Sequence, residues 1–324
     1  MTNINIVKLD NYYMVNRDFK YFKLGLVEGR ILKGIIEGQS LQKLATDENL
    51  TEIQILQLEK EFYKVGILGE IRKEKINLLF LKIPLFEIDR LMNTICKFLK
   101  NNIYILKTCI ILWVLFVFSG VTIVVLDYKD LFQKESIILP NYQYILVYIA
   151  YFIIILLHEL SHGIMCKYFG GRVGKLGIAL IAFNPAMYCD ISSVRLFSEK
   201  YKKIWCSAAG FMTNAFFVGI FSILYKISDL NFCKIMIILN ITSIMFNAIP
   251  FIRLDGYWIL SFTVDIDNLY KKSLRKIMFA RRENEFQGWK DYFILIYGVL
   301  NVLVLSYFII TFIVSVVRFI CINM

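Results

Sequence analysis

Residues 143–169 read QYILVYIAYFIIILLHELSHGIMCKYF, a long apolar run that ends in a short polar segment. From Tyr144 to Leu157 every residue is apolar or a tyrosine. A helix needs about 20 apolar residues to cross the hydrocarbon core of a bilayer, so we predict a membrane-spanning helix here. The polar run that begins at His158 falls inside this helix, where ionisable side chains are costly and usually functional.

The rest of the chain is also typical of a membrane protein. Of its 324 residues 58% are apolar and its mean hydropathy is +0.59, which argues against a water-soluble globular protein. We predict a mainly α, polytopic helical membrane protein with about five spans, with four or six as the alternatives. The last predicted span is long enough for a kink at Gly298 or Asn301. The spans are expected near residues 105–126, 143–169, 204–225, 234–252 and 292–317.

The distribution of basic residues predicts the orientation of a chain whose formal charge is +11. If the N-terminus is cytoplasmic, the segments inside hold 31 Lys and Arg. The segments outside then hold Lys129, Lys134, Lys226, Lys234 and Arg318. Because cytoplasmic loops are enriched in Lys and Arg, we predict a multi-pass protein of the cell (cytoplasmic) membrane with a cytoplasmic N-terminus. The first 20 residues lack the continuous apolar core of a signal peptide.

Residues 1–72 predict a small water-soluble module. Alternation over residues 12–24 favours a hairpin, and three short helices are expected to follow it. The signals at the predicted helix ends are Gly38 after the first, Ser40 before the second, a capping box of Thr51 and Gln54 before the third, and Gly66 after it. This order of elements predicts a winged-helix-like α+β fold.

The N-terminal module has three candidate roles. The 16 basic and 13 acidic residues of segment 1–102 nearly balance, so we expect no nucleic-acid partner. Peptide binding by strand addition to the hairpin edge is preferred, and a purely structural domain is the alternative. An apolar stripe from Ile83 to Leu99 then predicts an interfacial helix. It belongs to a linker over residues 73–102, which leads into a membrane domain over residues 103–324.

The segment His158-Glu159-Leu160-Ser161-His162 holds the only two histidines of the chain. Residues four apart share one face of a helix, so both imidazoles can bind one Zn²⁺. Glu159 points about 100° away, where it can accept a proton from a water molecule that zinc has acidified. A proton relay and a metal-transport site are the alternatives. A transporter would be expected to repeat its ligands on several spans, and the sequence holds no second cluster.

Catalytic zinc needs a third protein ligand, and with no histidine left this ligand should be acidic or a cysteine. The acidic residues near the ends of later spans are Asp190, Asp229, Asp255 and Asp291. We favour Asp255, because Pro250 breaks the preceding helix and Gly256 permits a turn that returns the carboxylate to the interior. At 1.5 Å per residue, Asp255 and His158 both lie about 24 to 30 Å from the outer side.

The two motifs together resemble those of the site-2 protease family of intramembrane zinc metallopeptidases. These motifs are HELSH and the later stretch Asn247-Ala-Ile-Pro250-Phe-Ile-Arg-Leu-Asp255-Gly256. The resemblance covers residues 143 to about 260. It implies that His158, His162 and Asp255 bind Zn²⁺, that Glu159 is the catalytic general base, and that Asn247 and Pro250 surround the third ligand. Ser161 replaces a more usual Gly and Phe211 a frequent Pro, and neither change removes a catalytic group.

Three further stretches are similar to a bacterial branch described as peptide zinc metalloproteases. They are Phe169-Gly-Gly-Arg-Val, Asn184-Pro-Ala-Met-Tyr-Cys-Asp190 and Arg253-Leu-Asp-Gly-Tyr-Trp258. Members of the branch are associated with ribosomally made, modified peptides, and residues 1–72 look like the PqqD-type winged helix that binds leader peptides. The resemblance therefore implies a peptide or membrane-anchored protein substrate, and a peptide-modifying enzyme or exporter as a further partner.

Residues 174–191 are too broken by Gly and Pro to span a membrane. They predict a re-entrant hairpin whose edge holds an extended substrate. Asn184 and Asp190 in this segment, with Gly256, complete the set of substrate-binding or supporting candidates. Asn240, Ser243 and Asn247 share one face of the fourth predicted span. There they either join helices or, at Asn247, hold substrate backbone or support Asp255.

Together these features predict an intramembrane zinc metalloendopeptidase. Its reaction would hydrolyse a peptide bond of a membrane-associated or ribosomally made modified peptide during maturation or export. The main alternative is a non-hydrolytic membrane component of a peptide export or immunity system that retains the zinc site. A degenerate site would be expected to lose Glu159 first, so the intact motif favours the enzyme. A membrane-bound DNA-binding regulator is a further alternative.

Overall fold

A computed structural model describes residues 4–9, 12–17, 20–69, 80–132, 139–181, 184–279 and 288–323. These residues form a mainly helical chain with twelve α-helices and two three-stranded antiparallel sheets. The chain divides into two compact units, residues 1–107 with 159–202 and residues 108–158 with 203–324. The division falls inside one continuous helix, Asn141–Tyr168.

The strands are β1 (Ile4–Leu9), β2 (Tyr12–Arg17), β3 (Lys20–Leu24), β4 (Phe80–Glu87), β5 (Lys175–Ile181) and β6 (Asn184–Cys189). The helices are α1 (Leu26–Ile36), α2 (Leu41–Glu48), α3 (Glu52–Val65), α4 (Asp89–Asn101), α5 (Ile103–Leu126), α6 (Tyr128–Phe132), α7 (Asn141–Tyr168), α8 (Lys200–Ser228), α9 (Asn231–Asn247), α10 (Asp255–Val264), α11 (Leu269–Phe279) and α12 (Trp289–Asn323). A short 3₁₀ turn covers Ser192–Leu196.

The first unit begins with the sheet β1–β2–β3, whose one face packs against α1, α2 and α3. The core of this packing includes Val15, Ile31, Leu32 and Ile55, all fully buried. The hairpin predicted over residues 12–24 is confirmed as β2 and β3, and residues 18 and 19 between them lie outside the described residues. Strand β1 extends this sheet and was not predicted.

The predicted ends of the three module helices are confirmed. The Ser40 side chain accepts a hydrogen bond from the backbone N–H of Lys43 and so caps α2. Thr51 and Gln54 form a capping box at the start of α3, and Gly66 ends that helix with φ of 85°. Glycine has no Cβ atom and therefore adopts the left-handed backbone conformation without a steric clash, which is why it ends the helix here.

The first unit also contains the sheet β4–β5–β6. Its strands β5 and β6 confirm the hairpin predicted over residues 174–191. The helix predicted from Ile83 to Leu99 is wrong at its start, because residues 80–87 form strand β4, which pairs with β5, and α4 begins only at Asp89. Backbone pairing along β5 outweighs the apolar spacing, and Pro84 has no N–H for a helical bond. Residues 73–79 of the predicted linker lie outside the described residues.

Four helices of the described segments are long and apolar enough to cross a membrane: α5, α7, α8 and α12. Large apolar side chains on them are exposed, as at Phe118 and Val125 of α5, which favours a lipid environment. The predicted span 234–252 is shorter than expected, because α9 ends at Asn247, before Pro250. Helix α12 continues without a break through Gly298 and Asn301.

The second unit packs α5 closely against α8. A Cβ atom built on Gly219 of α8 would lie 2.1 Å from the carbonyl oxygen of Phe116, so only glycine fits at this crossing. The Trp113 Nε1–H of α5 donates to the carbonyl of Met212 on α8 at 2.9 Å. Small residues that let helices approach, together with hydrogen bonds between helices, are the usual way in which spans associate. These contacts fix α8, which supports the site described next.

Candidate metal centre

Helix α7 carries both histidines on one face. His158 and His162 are four residues apart in a continuous helix, so their side chains lie one above the other. Both side chains are buried. A buried imidazole needs partners for its ring nitrogens, because an unsatisfied buried polar group is costly.

Asp255 supplies an acidic partner from α10. Its Oδ2 lies 3.2 Å from Nε2 of His158. Helix α9 stops at Asn247, and the chain turns over residues 248–254 before α10 begins at Asp255. The sequence-based preference for Asp255 over the other acidic residues therefore agrees with this geometry.

Gly256 supports Asp255 for a different reason from the one predicted. Its φ is not in the left-handed region, so it gives no special turn. A Cβ atom on it would instead lie 2.4 Å from the carbonyl oxygen of Ala248 and 2.9 Å from that of Asn247. The glycine thus allows the first turn of α10 to lie directly against the end of α9.

The loop before Asp255 is fixed by α12. The Tyr297 hydroxyl donates to the Pro250 carbonyl at 2.9 Å, and the Asn301 side-chain amide donates to the Phe251 carbonyl at 2.8 Å. Backbone carbonyls outside regular structure need such partners in a buried setting. Pro250 therefore has a structural role in the site, through a carbonyl that anchors the loop which ends at Asp255.

His158, His162 and Asp255 form a group that could hold a metal ion. One ligand atom from each residue lies within 4.8 Å of the other two. Ligand atoms around a tetrahedral Zn²⁺, at about 2.0–2.2 Å from the ion, are about 3.3 Å apart. The separation of 3.2 Å between His158 Nε2 and Asp255 Oδ2 matches that geometry. One of the three separations thus fits the geometry around a small metal ion, and the group as a whole could hold one.

Asn214 of α8 holds the other ring nitrogen of His158. Asn214 Oδ1 lies 3.3 Å from His158 Nδ1, and its Nδ2 donates to Ser243 Oγ on α9 at 2.7 Å. Asn247 Nδ2 also donates to Ser243 Oγ, at 3.4 Å. With its Nδ2 bound to Ser243, Asn214 presents its oxygen to the imidazole, so Nδ1 carries the proton. The lone pair of Nε2 then remains for a metal ion.

Gly210 provides the space for the His158 ring. A Cβ atom on Gly210 would lie 2.2 Å from Nε2 and 2.3 Å from Cε1 of His158. Any larger residue at position 210 would push the imidazole out of its place. Gly210 and Asn214 are one turn apart on α8, so a single helix face shapes and orients this ligand.

Glu159, the predicted base, is held by the hairpin. Its Oε2 accepts a hydrogen bond from the backbone N–H of Cys189, the last residue of β6, at 2.8 Å. Burial raises the pKa of the Cys189 thiol, and the nearby Glu159 carboxylate adds to the shift.

The other predicted residues are placed as follows. Asp190 Oδ1 accepts hydrogen bonds from the N–H and hydroxyl of Ser192, the first residue of the 3₁₀ turn, at 3.0 and 2.5 Å. Asn184 begins β6, and its side chain lies outside the described part of the structure. Asp291 Oδ1 lies 3.6 Å from the Lys276 Nζ atom, with which it forms an ion pair. Asp229 directly follows the end of α8 and has a backbone φ of 51°.

Two supporting residues were missed by sequence reasoning, namely Gly210 and Asn214. Their signal is a glycine and an asparagine one turn apart in a predicted span that is mostly apolar. Comparisons with protein-family models, with curated proteins and with solved structures find no match to this chain.

Proposed function

We propose that this chain is a membrane-bound zinc endopeptidase of the kind that the site-2 protease resemblance implies. One observation carries the proposal. His158, Glu159 and His162 lie on helix α7, and Asp255, at the start of α10 after the break that follows α9, lies close to His158. Two buried histidines and one partly buried carboxylate, with a second carboxylate one residue from the first histidine, are the ligand and base set of catalytic zinc hydrolases. The donor chemistry and spacing favour zinc as the cofactor.

Each residue has a distinct task in this reaction. When bound, zinc supplies a Lewis acid that acidifies water and polarises a carbonyl. The neutral imidazoles of His158 and His162 and the carboxylate of Asp255 would hold the zinc ion. Glu159 accepts the proton of the attacking water and then gives it to the leaving amine, which is general base and acid catalysis by one group. The hydrogen bond from the Cys189 N–H keeps the Glu159 carboxylate in place.

The substrate is proposed to be an extended peptide. A hydrogen-bonded helix hides its own carbonyls, so a scissile bond must be presented in extended form. Strand β6 is at the edge of its sheet, and the N–H of its last residue contacts Glu159. An edge strand can bind an extended peptide by backbone hydrogen bonds.

The setting is proposed to be the cell membrane, with α9 as a fifth, short span and the N-terminus in the cytoplasm. Four apolar helices and the excess of basic residues in the segments assigned to the cytoplasm support this placement. The module of β1–β3 and α1–α3 would recruit a membrane-associated or ribosomally made peptide, without nucleic acid. A peptide-modifying enzyme or an exporter is the proposed further partner.

The test is zinc-dependent cleavage by the purified full chain in detergent, measured with a library of quenched fluorogenic peptides. Glu159→Gln is expected to keep zinc but lower the cleavage rate by about 10²- to 10⁴-fold, the usual contribution of a general base. Glu87→Gln, on the exposed end of β4, is the matched control and should cleave like the unchanged chain. Full cleavage by Glu159→Gln would refute the mechanism, and zinc binding without any cleavage would favour the non-hydrolytic alternative.

A further inference from the structure

The first unit contains a pocket of about 800 Å³ that the proposed chemistry does not use. One wall is the face of the sheet β1–β2–β3 that points away from α1–α3. The other wall is formed by the turn after α7 and by the end of the 3₁₀ turn. A pocket of this size can hold a ligand as large as a short peptide segment.

The sheet wall presents a row of polar side chains. Asn5, Asn16 and Tyr21 are direct neighbours across the three strands, so their side chains lie side by side on one face. Asn16 Nδ2 donates to the Tyr21 hydroxyl at 3.2 Å. Burial, with Asp190 and Cys166 nearby, raises the pKa of Tyr21 to about 12. The hydroxyl therefore stays protonated near neutral pH and remains a hydrogen-bond donor.

The opposite wall combines aromatic rings with a positive charge. The rings of Phe169 and Phe197 meet edge to face with centroids 6.3 Å apart. Arg172 lines the pocket beside them. Phe169 directly follows α7 and is seven residues beyond His162, about 10 Å along a helix axis.

These groups select a ligand class. Each asparagine amide offers a donor and an acceptor, which is the pattern of a peptide group. Arginine binds a carboxylate through two parallel hydrogen bonds, and aromatic rings accept an apolar side chain. A phosphate group would instead be matched by several clustered basic side chains, whereas among the described residues that line this pocket Arg172 is the basic one, with Arg195 near Tyr21.

We propose that this pocket binds an extended, acidic segment of a peptide substrate that also carries apolar side chains. The proposal rests on the proposed peptidase function and adds a recruitment site to it. The Asn5–Asn16–Tyr21 row bonds the peptide backbone, Arg172 binds an acidic side chain, and Phe169 with Phe197 hold an apolar one. Because the pocket adjoins the end of the helix that carries His162, a bound segment would tether the rest of the peptide near that helix.

The test uses the full chain with Glu159→Gln, purified in detergent, so that bound peptide is not cleaved. The probes are fluorescein-labelled octapeptides of alternating Phe and Asp or of alternating Phe and Lys, followed by fluorescence anisotropy. The acidic probe is expected to bind at least tenfold more tightly. Arg172→Gln and Asn16→Leu should each weaken it by about tenfold, with unfolding temperature and zinc content unchanged.

The matched controls are residues close to the tested ones in the sequence or the sheet that do not line the pocket. Lys175→Gln removes an exposed positive charge and is the control for Arg172→Gln. Lys8→Leu replaces an exposed polar side chain on β1 and is the control for Asn16→Leu. Neither control should alter binding of the acidic octapeptide. Equal loss with Lys175→Gln would show a non-specific charge effect and overturn the proposal. Displacement of the probe by short-chain phosphatidylglycerol but not phosphatidylcholine would assign the pocket to a lipid headgroup and also overturn it.

Failure of this proposal can be told apart from failure of the proposed function. If neither octapeptide binds while the unchanged chain still cleaves fluorogenic peptides with zinc, the pocket assignment alone is wrong. If the acidic probe binds as expected while the zinc-loaded unchanged chain cleaves nothing, the pocket assignment holds and the peptidase function is wrong.

Discussion

At the residue scale, His158 is the most constrained side chain of the candidate centre. Asn214 contacts its Nδ1, Asp255 contacts its Nε2, and Gly210 leaves the space in which its ring lies. Partners that orient a metal-binding histidine typically contribute 10- to 100-fold to metal affinity. The two supporting residues of α8 should therefore influence zinc binding without being ligands.

We predict that Asn214→Leu lowers zinc affinity by about 10- to 100-fold, because Nδ1 loses its hydrogen-bond acceptor and the tautomer is no longer fixed. Competition with a zinc chelator measures the affinity. Thr213→Ala is the matched control, since the Thr213 hydroxyl bonds only the Ala209 carbonyl of its own helix in the described structure. Zinc affinity unchanged by Asn214→Leu would show that this contact does not position the ligand.

We predict that Gly210→Ala also lowers zinc affinity, because the new Cβ would overlap the His158 ring. Gly219→Ala is a demanding control on the same helix. Its Cβ would clash with the Phe116 carbonyl and should lower the unfolding temperature, since overpacking typically costs about 1–3 kcal/mol. The folded fraction of Gly219→Ala should nevertheless bind zinc normally, and an equal loss in both variants would contradict a specific role of Gly210.

At the element scale, the hairpin β5–β6 links the proposed base to the proposed substrate edge. The N–H of Cys189 donates to Glu159, and the backbone beyond it continues into the 3₁₀ turn, whose first residue, Ser192, contacts Asp190. A backbone donor can be removed only by proline, so this contact is open to a clean test. Proline is tolerated here because β6 is an edge strand.

We predict that Cys189→Pro lowers kcat for peptide cleavage by about tenfold and leaves zinc content unchanged, because the Glu159 carboxylate loses a hydrogen bond of the charge-assisted type. Cys189→Ala keeps the N–H and should cleave nearly like the unchanged chain. Steady-state kinetics on both variants decides the matter. Equal defects in the two variants would mean that the thiol, and not the amide, is what Glu159 needs.

The elements were predicted unevenly from the sequence, for physical reasons. Helix ends with local signals, such as Ser40 and Gly66, were found because capping is a property of a few neighbouring residues. Strand β4 was missed because its pairing partner β5 is about ninety residues away, and an apolar stripe does not reveal it. In the candidate metal centre, the four-residue spacing of the two histidines predicted that they share one helix face, and the break in the later helix led to the prediction of Asp255. Asn214 depends on packing between helices that no local pattern records.

At the scale of the whole molecule, four long apolar helices and the biased basic residues support a multi-pass membrane protein. We predict that Lys129→Cys, placed in a cysteine-free chain, reacts with a membrane-impermeant maleimide in intact cells. Lys175→Cys, also an exposed lysine, should react only after the cells are permeabilised. The reverse pattern of labelling would overturn the proposed orientation.

Metal binding should also be visible in the stability of the whole chain. A ligand that binds only the folded state stabilises it by about 2.7 kcal/mol when its concentration is 100 times Kd. Zinc is therefore expected to raise the unfolding temperature of the purified chain, and a chelator to lower it again. The same titration should shift His162→Ala far less, because that variant lacks one of the three ligands.

The proposal depends most directly on whether His158, His162 and Asp255 together bind one zinc ion. The decisive measurement is the zinc content per chain, determined by elemental mass spectrometry on the purified full chain and on Glu159→Gln, His158→Ala and Asp255→Asn. About one zinc per chain is expected in the first two, with loss of most of it in His158→Ala and Asp255→Asn. One zinc per chain in all four proteins, or in none of them, would contradict the site.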